Sequence, residues 1–418
     1  MDPISQGALG AAAPQAVLGR EKLPAFAFLG CLAGMAPDLD VFIGSSTDPL
    51  LFFEYHRQFT HALVFIPVGA ALVAVLLHRF VRRTLHPRET YLACLIGYAT
   101  HGLLDGCTAY GTQLFWPFSD YRVGWNNVSV IDPLFTVPLL CLAILAATLR
   151  RRALAAAGLI WALGYLLFGV VQHQRAETAG AQLATARGHQ PHQLSARPGL
   201  GNLLVWRTVY EHDGRYYVDG VRTGLTVSAC PGDSVPGLIL RRDFPWLDPG
   251  SQQARDVERF RWFADGYLAV DPRVPDRIID AGYSFVPNSI DMLWGIDLDP
   301  RAGPDDHVGY VQQARRDQLG RYWRLLTGED CPVRLTAVAA TAPGVEIAAV
   351  LRTSPLSPGR TTFRPAHAID VRHQRQQACR ERSPGAGHPV NCRRDLPQGA
   401  GPCTAGPGHM RPTAGPDQ

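Results

Sequence analysis

The chain has 418 residues, 46% of them hydrophobic, and a mean hydropathy close to zero. Its formal net charge of +4 is small. We see no stripe of basic residues with interleaved aromatics, which argues against a nucleic-acid partner. The mean hydropathy hides two unlike parts. Residues 23–171 contain several long apolar runs, whereas the sequence after residue 172 has the composition of a water-soluble protein.

The first part contains six apolar segments, which we interpret as membrane crossings. Some are shorter than the roughly 20 residues that a transmembrane helix needs, so we expect them to be tilted or re-entrant. The first residues lack the basic start and small-residue cleavage site of a signal peptide, so internal segments are expected to direct insertion. The six segments are residues 3–18, 23–37, 62–77, 91–104, 133–149 and 153–171.

Basic residues between the segments predict the orientation. They form three clusters, and the positive-inside rule assigns such loops to the cytoplasm. Alternating crossings then place the acidic and histidine motifs, and everything after residue 172, on the outer face. We therefore expect a multi-pass membrane protein whose C-terminal domain lies on the non-cytoplasmic side, which is the periplasm where the membrane is a bacterial inner membrane. The clusters are Arg20 with Lys22, then Arg79, Arg82, Arg83 and Arg88, and then Arg150, Arg151 and Arg152.

The second part predicts mixed secondary structure with β character. Residues 206–212 and 216–218 flank Asp213-Gly214, which is a β-hairpin signal. Residues 310–326 have a helical pattern. Nine cysteines do not have the spacing of a disulfide framework.

These patterns predict a membrane all-α helical bundle of about five to six short helices over residues 1–173. A soluble extracytoplasmic α+β domain is expected over residues 174–352. Residues 353–418 are rich in Pro, Gly and Arg and poor in large apolar side chains, which predicts a disordered tail. A shifted reading frame is a second hypothesis for the tail, and finding the genomic frame intact would refute it.

Two motifs place ionisable side chains beside apolar segments. Asp38 and Asp40 follow one segment and can converge on one cation, although they are also compatible with a solvated helix end. Acidic residues are unfavourable near a helix C-terminus, which favours a nearby positive charge. His56 and His61 bracket Arg57 directly before another segment. Neutral imidazole is the commonest metal ligand, and an arginine suits binding of an oxyanion such as phosphate.

A third motif lies inside an apolar segment. His101 and Asp105 are four residues apart, so a helix presents both on one face. Ionisable groups in such a setting are costly and are candidates for function; the alternative is a histidine–carboxylate pair that satisfies itself. Arg122 and Asp132 follow in the next outer loop. We predict that they and Arg57 complete the site as catalytic groups.

Together, the motifs predict a metal site. Mixed oxygen and nitrogen ligands suit zinc, with manganese or iron as alternatives, better than they suit a cation that prefers oxygen alone. A metal with an open position lowers the pKa of bound water and creates a hydrolytic nucleophile. An aspartate that does not bind the metal can act as general base. The predicted ligands are Asp38, Asp40, His56, His61, His101 and Asp105.

Five motifs, in their order, resemble the YdjM-like family, which is described as membrane-bound metal-dependent hydrolases of the bacterial inner membrane. They are Met-Asp-Pro-Ile-Ser-Gln, Pro-Asp-Leu-Asp, His-Arg-Gln-Phe-Thr-His, His-Gly-Leu-Leu-Asp and Gly-Thr-Gln-Leu-Phe-Trp-Pro-Phe-Ser. The resemblance is close over about residues 1–175 and looser around residues 206 and 284–300. It implies metal or catalytic roles for the same six ligands. Gln6 stands where the family often has a histidine. Asp2, which precedes Pro3, is either a further acidic residue of the site or an N-cap.

Three functions remain open. The first is an inner-membrane hydrolase that cleaves an ester or phosphoester at the outer leaflet, with membrane lipid as its surroundings or its substrate. The second is a non-enzymatic multi-pass protein with a structural or ion-conducting His/Asp cluster and a partner-binding outer domain. The third is a metal-free lipid phosphatase, because His101 and Asp105 match the His-xxx-Asp of that class. We find neither its Pro-Ser-Gly-His motif nor its Lys-to-Arg-Pro motif.

Overall fold

The N-terminal part of the chain is helical. The structure, a computed structural model, describes residues 1–313 and 316–335. Short 3-10 turns at Ala36–Phe42, Phe59–His61 and Leu63–Phe65 connect or extend several of the helices. The α-helices are α1 (Pro3–Val17), α2 (Leu23–Met35), α3 (Leu51–Tyr55), α4 (Ile66–Val81), α5 (Pro87–Gly106), α6 (Pro133–Leu149) and α7 (Arg152–Ala186).

Three helical stretches of the described residues are long and apolar enough to cross a membrane: Leu23–Phe42, Leu63–Val81 and Arg152–Ala186. The prediction of a helical N-terminal region with membrane spans is thus confirmed. The predicted number and length of its helices do not match, because this region has seven α-helices and α7 alone has 35 residues. Helix α1 has only 15 residues, while α5 contains polar residues that lower its hydropathy.

Glycines let α1, α2 and α5 pack closely. A Cβ atom added to Gly30 would lie 2.1 Å from the carbonyl oxygen of Gly10, and one added to Gly97 would lie 2.6 Å from that of Gly30. Gly34, one turn after Gly30, has a Cβ position 2.8 Å from the Gln6 carbonyl oxygen. Such small residues at i and i+4 allow helix backbones to touch. The packing brings the C-terminal end of α2 beside α5.

The basic loops meet at one end of the helical part. Lys22 Nζ, before α2, lies 2.8 Å from Glu89 Oε1 at the start of α5. Arg152 Nε, at the start of α7, donates to the carbonyl oxygen of Ala16 near the end of α1. The loops between α1 and α2, between α4 and α5, and between α6 and α7 therefore share one end.

The remaining described residues form two antiparallel sheets. In the first, the strand order is β1-β2-β3-β4-β10, and β5 pairs with β3; in the second it is β6-β7-β8-β9. The strands are β1 (Leu194–Pro198), β2 (Val205–His212), β3 (Arg215–Thr223), β4 (Val227–Cys230), β5 (Ser234–Pro236), β6 (Leu268–Asp271), β7 (Val274–Asp280), β8 (Trp294–Asp297), β9 (Gly309–Gln312) and β10 (Val333–Leu335), with helices α8 (Leu240–Asp243), α9 (Gln252–Phe263) and α10 (Leu319–Thr327).

The predicted hairpin is confirmed. Strands β2 and β3 pair with His212 opposite Arg215, and the two residues between them, Asp213 and Gly214, both have positive φ angles. Two consecutive residues with positive φ are typical of the tight turns that connect antiparallel strands. The fully buried Trp206 of β2 packs in the core between this sheet and α7.

Two predictions for the sheet-rich part need correction. The helical pattern of residues 310–326 continues only over α10, because residues 309–312 form strand β9, which pairs with β8. Spacing predicts no disulfide framework, yet Cys230 and Cys331 form a disulfide across a sequence separation of 101 residues. Because the two cysteines lie so far apart in the sequence, their spacing does not show that they meet. The pairing of β10 with β4 brings them together.

Helix α7 connects the two parts without a break. Its 35 residues correspond to about 52 Å of helix, more than the roughly 30 Å thickness of a bilayer core. Beyond the apolar half, Gln172 Nε2 donates to the carbonyl oxygens of Thr223 at 2.6 Å and Leu203 at 3.2 Å. The predicted boundary at residue 173 falls within this helix. The predicted tail, residues 353–418, lies outside the described residues.

Replacement of Gly30 by alanine tests the close packing of α1 on α2. Because the new Cβ meets the Gly10 backbone at 2.1 Å, we expect Gly30→Ala to lower the free energy of unfolding by about 1–3 kcal/mol. Thermal unfolding in detergent, followed by circular dichroism, measures this. Gly164→Ala on α7 is the control, because its added Cβ meets nothing within 4 Å. Equal effects of the two substitutions would contradict the packing argument.

Candidate metal centre

The acidic and histidine motifs meet at the end of the helical part opposite the basic loops. Asp38 lies in the 3-10 segment that extends α2, and His61 in the 3-10 turn before α4. His101 and Asp105 occupy the last two turns of α5. Close contact of α5 with the turn at His61 is possible because Gly102 has no side chain: a Cβ there would lie 2.4 Å from the His61 carbonyl oxygen.

Four of these side chains converge. His61 Nε2 lies 2.9 Å from His101 Nε2, 3.5 Å from Asp38 Oδ1 and 3.4 Å from Asp105 Oδ2. His101 Nε2 is 3.3 Å from Asp38 Oδ1. Four ligands bound tetrahedrally to zinc at its usual bond lengths lie about 3.3 Å apart. These four distances are close to that value, all the ligand atoms lie within 4.8 Å of one another, and the group could hold a metal ion.

A buried oxygen without a hydrogen bond supports a cation at this position. The side chains of His61, His101 and Asp105 are fully buried, whereas that of Asp38 is 20% exposed. Among the described residues, Asp105 Oδ2 accepts no hydrogen bond, although it lies 3.0 Å from Arg57 Nε. A buried anionic oxygen in this state is costly. A metal ion would remove that cost, and the residues present fit one.

The charges around His61 favour a positive charge at the centre of the site. Burial by itself lowers the pKa of His61, but the neighbouring carboxylates of Asp105, Asp38 and Asp40 outweigh burial and raise it to about 10. The surroundings thus hold a proton on this imidazole. A metal ion that takes the imidazole lone pair would supply the same positive charge.

Both imidazoles are oriented through their other nitrogen. His101 Nδ1 donates to the carbonyl oxygen of Gly34 at 2.5 Å, so the Nε2 lone pair faces the cluster. His61 Nδ1 lies 3.3 Å from Asp40 Oδ2. Carbonyl and carboxylate partners of this kind fix the tautomer of metal-binding histidines. The glycine contact that packs α2 on α5 therefore also orients a predicted ligand.

Asp40 and His56 lie beside the four converging side chains. Asp40 Oδ2 accepts hydrogen bonds from Thr60 Oγ1 at 2.7 Å and from the Arg57 amide at 3.1 Å, and its Oδ1 is 2.7 Å from His56 Nδ1. With Asp38, they form a second group whose ligand atoms lie within 4.8 Å of one another. The six predicted ligands are thus adjacent, but four share one centre.

Arg57 joins the site in a strained conformation. Its φ angle is +67°, which is uncommon outside glycine. The side chain is held by Asp105 and by Thr108, whose Oγ1 accepts a hydrogen bond from Nη1 at 3.0 Å. The guanidinium lies 5.6 Å from the ring centre of Tyr110. Arg57 thus lies beside the converging side chains, and its catalytic role stays a prediction.

Arg122 and Asp132, by contrast, do not reach the cluster. Arg122 donates to the carbonyl oxygens of Tyr110 and Phe263, which connects a loop of the helical part to the sheet-rich part. Asp132 is the N-cap of α6 and accepts hydrogen bonds from the Tyr165 hydroxyl at 2.8 and 2.9 Å. Both side chains make these structural contacts, and their roles as catalytic groups of the site stay predictions.

Sequence reasoning missed several groups that touch the ligands. Gln6 Nε2 donates to Asp105 Oδ1 at 2.9 Å, and the Met1 ammonium also pairs with that oxygen. One signal for Gln6 was present in the sequence, because it stands where the family often has a histidine. Of the two roles considered for Asp2, the structure shows the cap: its side chain accepts hydrogen bonds from the amides of Ile4 and Ser5 at the start of α1.

Comparison with known proteins finds a matching family model for the helical part of the chain. Residues 1–176 match the family model described as YdjM inner membrane protein. The resemblance found in the motifs is therefore confirmed over this part of the chain. The chain is also 29% identical over 128 residues to "Uncharacterized protein YfhP" of Bacillus subtilis (strain 168), a stretch that covers 30% of this chain and 38% of that protein. No solved structure matches the chain.

Loss of one converging imidazole should empty the site. We expect His61→Ala and His101→Ala each to reduce metal bound to detergent-purified protein by at least about tenfold, as measured by elemental mass spectrometry. His78→Ala is the control, because His78 lies on α4 and contacts Thr90 instead. The ligand assignment would be wrong if both variants retained the occupancy of the unaltered protein.

Proposed function

We propose that this chain is an inner-membrane metal-dependent hydrolase that cleaves an ester or phosphoester at the outer leaflet. The observation that supports this most is the convergence of two imidazoles and two carboxylates within an apolar helical region. Buried ionisable groups in such a region are costly and are kept for function. The YdjM inner membrane protein match over residues 1–176 supports the membrane location.

Zinc is the metal that this ligand set suits best. Two imidazoles with carboxylates are a usual donor set for zinc, and three protein ligands with an open position characterise its catalytic sites. We assign His61, His101 and Asp105 as the three ligands because they are fully buried. Asp38, which is partly exposed, lies on the open side.

The chain's own residues then divide the remaining tasks. When bound, zinc supplies a water whose pKa is lowered toward neutrality. Asp38 is placed to accept a proton from that water, since its Oδ1 lies 3.3 Å from His101 Nε2 beside the ligands. Asp40 holds the imidazole of His61 in place through the contact with Nδ1. Arg57 is placed to bind a developing oxyanion, as arginine does for phosphate and carboxylate groups.

The proposed orientation puts the site on the periplasmic side. The three basic loops share the opposite end of the helical part, and basic loops stay in the cytoplasm. The Cys230–Cys331 disulfide supports a periplasmic location for the sheet-rich part, because disulfides persist in oxidising compartments.

Apolar side chains beside the site support a substrate that stays partly in the bilayer. Leu39 and Phe42, in the same 3-10 segment as Asp38, are 62% and 82% exposed. Exposed apolar side chains of this kind favour contact with lipid over contact with water. A membrane lipid or another amphiphilic phosphoester is the proposed substrate class.

A second candidate function follows from the number of converging groups. Four protein ligands with no open position are typical of structural zinc sites. If Asp38 binds the ion as a fourth ligand, the cluster is a structural or ion-holding site, and the sheet-rich part binds a partner. The two candidates therefore differ in the role of Asp38.

The substitution Asp38→Asn separates them. If Asp38 is a general base, the variant should keep its zinc while hydrolysis falls by about 10²-fold or more. If Asp38 is a fourth ligand, zinc occupancy should fall instead. Zinc content and EDTA-sensitive cleavage are measured in parallel, with p-nitrophenyl esters, bis(p-nitrophenyl) phosphate and phosphatidic acid vesicles as probes. Asp120→Asn, an exposed loop position, is the control. Bound zinc without turnover of any probe by the unaltered protein would favour the second candidate.

Reporter fusions test the orientation. Alkaline phosphatase fused after Gln418 should be active, because the basic loops assign the sheet-rich part to the periplasm. A phosphatase inserted at Thr84, between α4 and α5, should be inactive there, whereas green fluorescent protein at the same site should be fluorescent. The reverse pattern at both positions would invert the proposed orientation.

A further inference from the structure

The sheet-rich part holds the loop that carries His56 and Arg57. Leu50, before α3, is buried in an apolar cluster whose other members include Phe260 and Ile296, and Phe53 of α3 packs against the same cluster. Two ion pairs strengthen this attachment. Arg259 of α9 lies 2.8 Å from Asp48 and 2.5 Å from Glu54.

A continuous stack connects the metal centre with the interior of the sheet-rich part. The Arg57 guanidinium lies 5.6 Å from the ring centre of Tyr110. The Tyr110 ring stacks on the Tyr283 ring with centres 4.8 Å apart and planes inclined by 5°. At the other end of the stack, the Arg197 guanidinium lies over Tyr283, 4.2 Å from the centre of its ring. Cation–ring and ring–ring contacts of this kind are each stabilising, more so where water is excluded.

Tyr283 is fixed from both sides. Its hydroxyl donates to the carbonyl oxygen of Ala109, the residue before Tyr110. The carbonyl oxygen of Tyr110 accepts a hydrogen bond from Arg122, whose other nitrogen donates to Phe263 of α9. These hydrogen bonds fix the backbone at Tyr110 relative to the sheet-rich part, and Tyr283 contacts the Tyr110 ring.

Arg57 depends on that ring for its alignment. Its backbone φ angle of +67° is in the left-handed region, which is unfavourable outside glycine and persists only where surrounding contacts hold it. The contacts are those with Asp105, Thr108 and the Tyr110 face. If the ring moves, the guanidinium loses one of three contacts, and Asp105 Oδ2 loses the neighbour that faces it at 3.0 Å.

We propose that Tyr283 is a positioning residue of the metal centre, which acts through Tyr110 to hold Arg57 against the ligand Asp105. The sheet-rich part is then a component of the site and not only a cover. This inference rests on the proposed function, since it takes the converging side chains to bind a metal ion.

The test uses cobalt(II) as a spectroscopic probe on the full chain. Tyr283→Leu removes the stack, and Tyr283→Phe keeps it without the hydroxyl. We expect Tyr283→Leu to weaken cobalt binding by about tenfold or more, in the range known for residues that support metal ligands, and to alter the visible cobalt spectrum. Tyr283→Phe should restore both. Tyr217→Leu is the matched control, because Tyr217 stacks on Tyr210, with ring centres 5.3 Å apart, within the first sheet.

A double-mutant cycle separates positioning from loss of stability. In an Arg57→Met background, Tyr283→Leu should have no further effect on cobalt affinity or spectrum, because its action passes through Arg57. Additive effects, or equal effects of Tyr217→Leu, would overturn the inference. If Tyr283→Leu does not fold, Tyr110→Leu is used in the same cycle. Absence of cobalt binding by the unaltered protein would instead refute the proposed function, so the two failures are distinguishable.

Discussion

Burial of charged and polar side chains at the end of an apolar helix cluster is the constraint on which this structure depends. Asp105 and two imidazoles are removed from water, and ionised groups in such a place need a partner of opposite charge or a hydrogen bond. Neighbouring residues supply most of these partners. Gly34 offers a carbonyl oxygen, Asp40 a carboxylate, and Arg57 a guanidinium. Asp105 Oδ2 faces Arg57 at 3.0 Å but accepts no hydrogen bond, and a metal ion would fit beside it.

The helix packing serves this cluster as much as it serves stability. Lipid tails are as apolar as leucine, so helices in a membrane gain little from hydrophobic burial and rely on close backbone contact. Here the glycines at positions 10, 30 and 97 provide that contact. The same contact fixes α2 against α5 at the distance where the α2 extension and the last turns of α5 share a centre. A bulkier interface would separate the ligands while leaving the helices intact.

Local patterns explain which parts of the site could be predicted from the sequence. The i to i+4 spacing of His101 and Asp105 places both side chains on one face of α5. Because successive segments cross the membrane in alternating directions, the other motifs are predicted at the same end. Spacing alone could not place Arg122 and Asp132. Arg122 donates a hydrogen bond to Phe263, which is far along the chain, and Asp132 caps helix α6. The Cys230–Cys331 bond and the length of α7 likewise depend on tertiary contacts that spacing does not reveal.

The division of the site between helices and loops gives the sheet-rich part a physical role. Helix α5 holds its own side chains in fixed positions. His56 and Arg57 lie on a loop, and they would lose their alignment without a second scaffold. That scaffold is the sheet-rich part, which α7 joins to the apolar region as one continuous helix. The sheet-rich part contacts the helical part again through Arg259, which pairs with Asp48, and through Tyr283, which stacks on Tyr110. A site built half on helices and half on loops therefore needs both parts of the chain to be ordered at once.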